Sequence, residues 1–243
     1  MNANPVGDVT IRYADLPSQA PGDPVPVLLL HGFGTNFEMN WSAAGWPRAL
    51  DTAGRRVIGP DLRGHGGSDK PTDSGLYLPE HFVADVLALL DRLEVERVDV
   101  VGYSMGSRIA WELALTAPDR VRRTVLGGFG PANALAGLDT AEPGTGDTPF
   151  DHVYRTVVGL PGNDAAALAA CVRGQASRPF QEEPRPTGGP MLLVAGARDT
   201  VAEGAAGLAE RCGGAFVEVP GRDHANAVSS RVFKQAVAEF LEG

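Results

Sequence analysis

Short runs of consecutive apolar residues alternate along this chain with longer segments in which apolar positions recur every three or four residues. The runs at 9–13, 25–30, 56–59, 98–101, 123–126, 190–195 and 216–219 predict strands, and several are apolar at nearly every position, the pattern of strands buried on both faces. Segment 80–93 places Val83, Val86, Leu87, Leu90 and Leu93 on one side of a helix. Segment 107–116 reads the same way, and 232–241 closes the chain as a helix with Val232, Phe233, Val237, Phe240 and Leu241 inward. This alternation predicts an α/β fold, a mostly parallel central sheet flanked by helices on both faces.

One region departs from the alternation. From 131 to 189 no strand-like run occurs, and 141–149 is rich in Gly, Pro, Thr and Asp. Helical segments at 150–160 and 164–173 predict a small helical cap, and the proline-rich 178–190 is the expected return to the core, since proline restrains itself and its predecessor to extended geometry. The expected division is a core of 1–130 and 188–243 with a cap insertion at 131–187.

The chain has 243 residues, 43% of them hydrophobic, enough for one sizeable core. A formal net charge of -9, with no basic run, argues against nucleic acid as a partner. No apolar stretch approaches the roughly 20 residues of a membrane span, and the first residues lack a basic-then-apolar leader, so a cytoplasmic protein without a membrane partner is expected. Cys171 and Cys212 form no CxxC pair and read as free thiols, and the five histidines show no metal-ligand spacing. No cofactor or metal is expected, and the chain is read as a monomer or homodimer acting on a small molecule.

The most informative segment is 98–110, a strand running into a helix through Gly102-Tyr103-Ser104-Met105-Gly106. This is a nucleophile elbow: the serine sits on a sharp turn that only flanking glycines leave room for, at a helix N-terminus that favours a developing anion. The alternative is a tight turn whose serine merely caps the helix. Upstream, the strand at 25–30 empties into His31-Gly32-Phe33-Gly34, a loop that can offer the Phe33 N–H opposite the Met105 N–H as two oxyanion donors. His31 is expected to brace this loop by hydrogen bonds to backbone. The loop 61–69, dense in turn residues and charge, is expected to tie loops together.

Two further strand ends carry the remaining groups. Strand 190–195 leads through Gly196 to Asp199, and strand 216–219 through Gly221 to His224. Serine needs a base to take its proton, and the base needs a carboxylate to fix its tautomer, so Ser104, His224 and Asp199 are the candidate nucleophile, base and acid. Singly, Asp199 reads equally well as a cap for a helix beginning near residue 202, and His224 as an exposed loop residue; together they stand in the order Ser, Asp, His at strand ends. The strand at 123–126 ends in Gly127-Gly128-Phe129-Gly130 and offers no competing acid. Asp223 is read as solvent-facing. By position Phe33, Tyr103, Met105 and Phe129 are the candidate substrate-binding residues; Trp41 and His152 are within reach of the site as an alternative to the favoured readings, core packing and plain exposure.

Taken together, His31–Gly34, Asp61–Asp69, Gly102–Gly106, Gly196–Asp199 and Gly221–His224 resemble the α/β-hydrolase superfamily, in its serine-nucleophile, esterase-like branch. The resemblance implies an eight-stranded sheet with a cap over the site. It departs at the N-terminus, where one strand instead of a hairpin is evident before residue 25, so a shortened sheet edge is expected. Members resembling haloalkane dehalogenases and epoxide hydrolases carry aspartate at the elbow, and Ser104 argues against both. Hydrolysis of a small or medium carboxylic ester through an acyl-serine is the leading expectation. A lactonase, thioesterase or carbon–carbon bond hydrolase uses the same triad. Outside that class stand a slow-turnover ligand receptor and a lyase or cyclase that uses the fold without the triad. Arg155, Arg173, Arg178 and Arg185 in the cap segment are too dispersed to mark a thioester cofactor's phosphates.

Overall fold

Successive strand residues point to opposite faces of a sheet, so a run such as Val27-Leu28-Leu29-Leu30 must be covered on both sides. In the computed structural model, which describes residues 1–7, 9–21 and 25–243, it is. The strands are Asn2–Val6 (β1), Val9–Leu16 (β2), Val27–Leu30 (β3), Val57–Pro60 (β4), Val98–Tyr103 (β5), Val121–Gly127 (β6), Met191–Gly196 (β7) and Ala215–Val219 (β8). They form one sheet in the order β1-β2-β4-β3-β5-β6-β7-β8, parallel except where β2 pairs with β1 and β4. The helices are Trp46–Thr52 (α1), Pro79–Arg92 (α2), Met105–Thr116 (α3), Pro149–Val157 (α4), Ala165–Ser177 (α5), Ala205–Arg211 (α6) and Arg231–Glu242 (α7).

Each face of the sheet has its own core. On one side Leu28, Leu30, Val98 and Val100 pack with Phe82, Val86 and Leu89 of α2 and Ile109 and Leu113 of α3. On the other, Val27, Leu29, Val101 and Val125 meet Trp46 of α1 and Phe233, Val237 and Leu241 of α7. The face of α7 is set by the i, i+4, i+8 positions 233, 237 and 241. Val232, expected inward, lies about 100° around the helix from Phe233 and is 43% exposed.

The N-terminal edge is not shortened. β1 forms an antiparallel hairpin with β2, pairing Asn2 with Tyr13 through to Val6 with Val9. Its sequence, Asn-Ala-Asn-Pro-Val, lacks an apolar alternation because its faces are little covered, with Asn4 alone buried, and Pro5 is tolerated there since an edge strand needs fewer ladder donors. Between β6 and β7 the chain leaves the sheet for residues 128–190, which contain α4 and α5 and no strand among them. α4 opens on a capping box between Thr148 and Asp151. α5 presses on the segment before α2: a Cβ on Gly174 would lie 2.5 Å from the Ser74 carbonyl oxygen.

Candidate active site

β5 enters the centre of the sheet between β3 and β6, and its carboxyl end delivers Ser104. Ser104 has φ +53°, a conformation costly for a side-chain-bearing residue. The glycines around it are required by close approach: a Cβ on Gly106 would lie 2.0 Å from the Leu30 carbonyl oxygen, and one on Gly102 would lie 2.4 Å from that of Gly106. The turn is held by the Ser104 N–H and the Ser107 hydroxyl, which both donate to the Gly127 carbonyl at 2.8 Å.

The structure brings Ser104, His224 and Asp199 together. Ser104 Oγ lies 3.0 Å from His224 Nε2, and His224 Nδ1 lies 3.0 Å from each carboxylate oxygen of Asp199. A carboxylate at Nδ1 favours the tautomer whose proton sits there, leaving Nε2 to accept from the serine. Asp199 also accepts from the Val201 and Ala202 N–H groups at 3.0 and 3.2 Å, so it orders its own turn as well as the imidazole. The Tyr103 hydroxyl donates to the His224 carbonyl at 2.6 Å and fixes that loop from below; burial pushes the Tyr103 pKa up and keeps it a neutral donor. Asp223 does not simply face solvent: its Oδ1 accepts from the Ala225 and Asn226 N–H groups at 3.0 and 3.2 Å and shapes the turn that carries His224.

The loop after β3 is braced as a donor platform. Leu62 N–H donates to His31 Nε2 at 2.9 Å, which leaves Nδ1 to donate to the Gly32 carbonyl at 2.8 Å. Complete burial lowers the His31 pKa to about 4 and keeps the ring neutral. His65 packs edge-on at 5.3 Å, itself lowered to about 3, chiefly by burial. Asp61 and its neighbours tie two loops to β2: Asp61 accepts from the Phe37 and Gly67 N–H groups, and the Ser68 hydroxyl accepts from the N–H of Arg12. Among the described residues nothing accepts from the N–H of Phe33 or Met105.

These groups open into a cavity of about 480 Å³, lined also by Phe33, Tyr103, Met105 and Phe129. Trp41 is fully buried against Trp46. His152 reaches the cavity but is otherwise exposed, 3.0 Å from Asp147. Cys171 and Cys212 are free; Cys171 lines the cavity and burial pushes its thiol pKa up, so it stays protonated. Among the lining residues that were not legible in the sequence, two polar ones shape the site. Asn40 accepts from the Gly32 N–H at 3.1 Å and so orients the loop, and Arg108 enters from α3. Asn40 lies outside any motif, in a single irregular turn at Glu38–Ser42; a charged residue on a helix such as Arg108 ordinarily signals a solvated face.

A family model for the alpha/beta hydrolase fold matches residues 25–149. The chain belongs to that family. Within it, the chain is 39% identical over 168 residues to the 2-hydroxymuconate semialdehyde hydrolase of Pseudomonas putida, covering 66% of this chain and 58% of that relative. It is 41% identical over 99 residues to epoxide hydrolase 3 of Siraitia grosvenorii, covering 41% and 30%. The alignments thus span well under two thirds of these relatives' lengths. The α/β-hydrolase fold is shared over the full length of both chains with the enol-lactonase from Burkholderia xenovorans LB400, at a TM-score of 0.81 and 23% identity.

Proposed function

We propose that this α/β-hydrolase is a serine hydrolase that cleaves a small or medium carboxylic ester through an acyl-Ser104 intermediate. The observation that carries the reading is the unbroken line from Ser104 Oγ through His224 to the buried Asp199, each contact 3.0 Å, at the wall of the cavity. In this reading His224 takes the serine proton as Oγ attacks the carbonyl carbon, and Asp199 stabilises the imidazolium that results. The oxyanion falls between the N–H groups of Phe33 and Met105, the latter at the N-terminus of α3, where the helix dipole adds to the two donors. His224 then returns its proton to the leaving alcohol. Water enters by the same route in reverse, giving up its proton to His224 as it attacks the acyl carbon, and Ser104 leaves with that proton. Phe33, Tyr103, Met105 and Phe129 bound the acyl group on this reading.

A second reading has its own support. The 39% identity with a hydrolase named for 2-hydroxymuconate semialdehyde favours hydrolytic cleavage of a carbon–carbon bond next to a carbonyl, with the same nucleophile and the same oxyanion donors. Epoxide opening is not favoured, because a serine elbow lacks the carboxylate that would form an alkyl ester.

The test begins with a small fluorophosphonate and intact mass. The expected result is one adduct on Ser104, absent from Ser104→Ala and His224→Ala, followed by turnover in a panel of 4-nitrophenyl esters, lactones, thioesters and 2-hydroxymuconate semialdehyde. Turnover confined to the last substrate selects carbon–carbon hydrolysis. No adduct, with activity surviving Ser104→Ala, overturns both readings.

A further inference from the structure

The cavity that holds Ser104 contains one permanent charge. Among the residues that line it there is no aspartate or glutamate, and the one arginine is Arg108. Arg108 lies on α3 four residues beyond Ser104, a rise of about 6 Å, on the same side of the helix. Its side chain is only 13% exposed.

What Arg108 touches occupies one edge of the guanidinium. Nε donates to Glu112 Oε1 at 2.9 Å and Nη2 lies 2.8 Å from the same oxygen, while Nη2 also donates to the Arg178 carbonyl at 3.3 Å. Phe180 covers the group at 5.2 Å from its ring centroid, and Phe129 packs edge-on against Phe180 at 4.9 Å. Nη1 has no acceptor among the described residues. A guanidinium carries five donors in a plane, so one carboxylate oxygen and one carbonyl leave its second edge for another acceptor. Burial, and more weakly the neighbouring Arg178, lower the Arg108 pKa against the opposing pull of Glu112.

A helix-surface pair four residues apart needs no cavity, and its long side chains ordinarily keep their charged ends in water. Arg108 is instead drawn under the Phe180 ring into the lumen of a protein whose net charge is -9. An anion arriving at Nη1 would supply an acceptor through a charge-assisted hydrogen bond, which is strong and directional. A short acyl chain running from Ser104 along α3 would present its far end there.

We infer that Arg108 is a specificity-determining residue, and that the acyl group seated beside it ends in a carboxylate, as in the half-ester of a short dicarboxylic acid. The inference rests on the serine-hydrolase reading for which bond is cleaved, but the recognition step can be measured without cleavage.

Calorimetric titration of the Ser104→Ala protein with monomethyl glutarate and with methyl valerate compares an anionic with a neutral chain of equal length. The half-ester is expected to bind more tightly, and Arg108→Gln in the same background to weaken it on the order of 10- to 100-fold, as for loss of a charged hydrogen bond. Arg108→Lys keeps the charge without the fork and should fall between. In the parent enzyme, the kcat/KM ratio for 4-nitrophenyl hydrogen glutarate over 4-nitrophenyl valerate should exceed one and collapse in Arg108→Gln mainly through KM. Equal binding of the two esters by Ser104→Ala, or half-ester binding indifferent to both substitutions, overturns the inference; the first comparison needs no Arg108 variant to fold. Fluorophosphonate labelling of the parent keeps the two claims apart. A labelled Ser104 with no preference for the half-ester removes Arg108 and leaves the hydrolase reading, whereas half-ester binding without label or turnover does the reverse.

Discussion

Ser104 is strained at φ +53° and hydrogen-bonded to an imidazole that is itself held from two sides, by Asp199 at Nδ1 and by Tyr103 at its carbonyl. Such over-determination keeps a sparsely populated backbone geometry in place. On the proposed roles, Asp199→Asn keeps an acceptor for the Val201 and Ala202 N–H groups but turns the imidazole to the wrong tautomer. Its kcat should drop roughly 10³- to 10⁴-fold with the melting temperature nearly unchanged. Asp199→Ala loses both functions and should melt lower as well; equal melting temperatures would show that the turn does not depend on the carboxylate. The buried histidines make a separate prediction. With folded pKa values near 4 for His31 and 3 for His65, below the ordinary 6.5, the unfolded chain binds more protons as pH falls below about 6.5. Stability should therefore fall on acidification, with a slope of about 1.4 kcal/mol per pH unit for each histidine, until the folded pKa is reached. Urea titrations at pH 7, 6 and 5 read this slope, and a flat profile would contradict it. These residues were legible because each stands in a motif with few chemical options. Arg108 was not, because its inward turn depends on Phe180, 72 positions away, which sequence spacing does not reveal.

Elements were legible where their apolar residues form a run or a period, whether in the sheet centre or, as in β8 at its edge, half-exposed. β3 and β5, covered on both faces, came within two residues of their expected ends, while β1, an edge strand with Pro5 in it, was missed. α1 escaped as well: its seven residues begin Trp-Pro, and two inward side chains, Trp46 and Leu50, are too few to declare a period. The helical segments of the insertion were foreseen, but not how they meet the core. One meeting point is the loop after β3. Gly34, at φ +67°, lies so close to α4 that a Cβ there would be 2.2 Å from Val157 Cγ2, and Asn163 donates through its side-chain amide to the Gly34 carbonyl at 2.8 Å. The loop offering the Phe33 N–H is thus shaped partly by the helix above it. Gly34→Ala is expected to cost roughly 1–3 kcal/mol in strain and overpacking, and to raise KM by shifting α4. Val157→Ala in the same chain should recover part of the stability by removing the clashing methyls. Alanine keeps the Val157 Cβ, which would lie 2.5 Å away, so failure of that rescue would leave the cost with that contact and the positive φ.

At the scale of the whole molecule, the sheet gathers Ser104, Asp199 and His224 from the carboxyl ends of β5, β7 and β8, so residues up to 120 positions apart meet at one rim. That convergence follows from parallel order alone, which is why the order of motifs along the chain was enough to anticipate it. The charge distribution adds something that order does not contain. The protein carries -9 overall, yet the lumen beside Ser104 holds a single cation and no carboxylate. An anionic acyl donor is therefore repelled from a distance and attracted on arrival, and salt separates the two effects. At 0.01 M ionic strength the screening length is about 30 Å, so the whole surface opposes approach; at 0.15 M it is about 8 Å, and the distant charges largely vanish from the approaching ligand's view. Arg108, mostly shielded from solvent, is screened far less. With the carboxylate held by Arg108, kcat/KM for 4-nitrophenyl hydrogen glutarate should rise severalfold between these ionic strengths while that for the neutral valerate stays flat. A fall with salt instead would mean that the anion is held by exposed cations at the cavity mouth, and Arg108 would lose its assigned role.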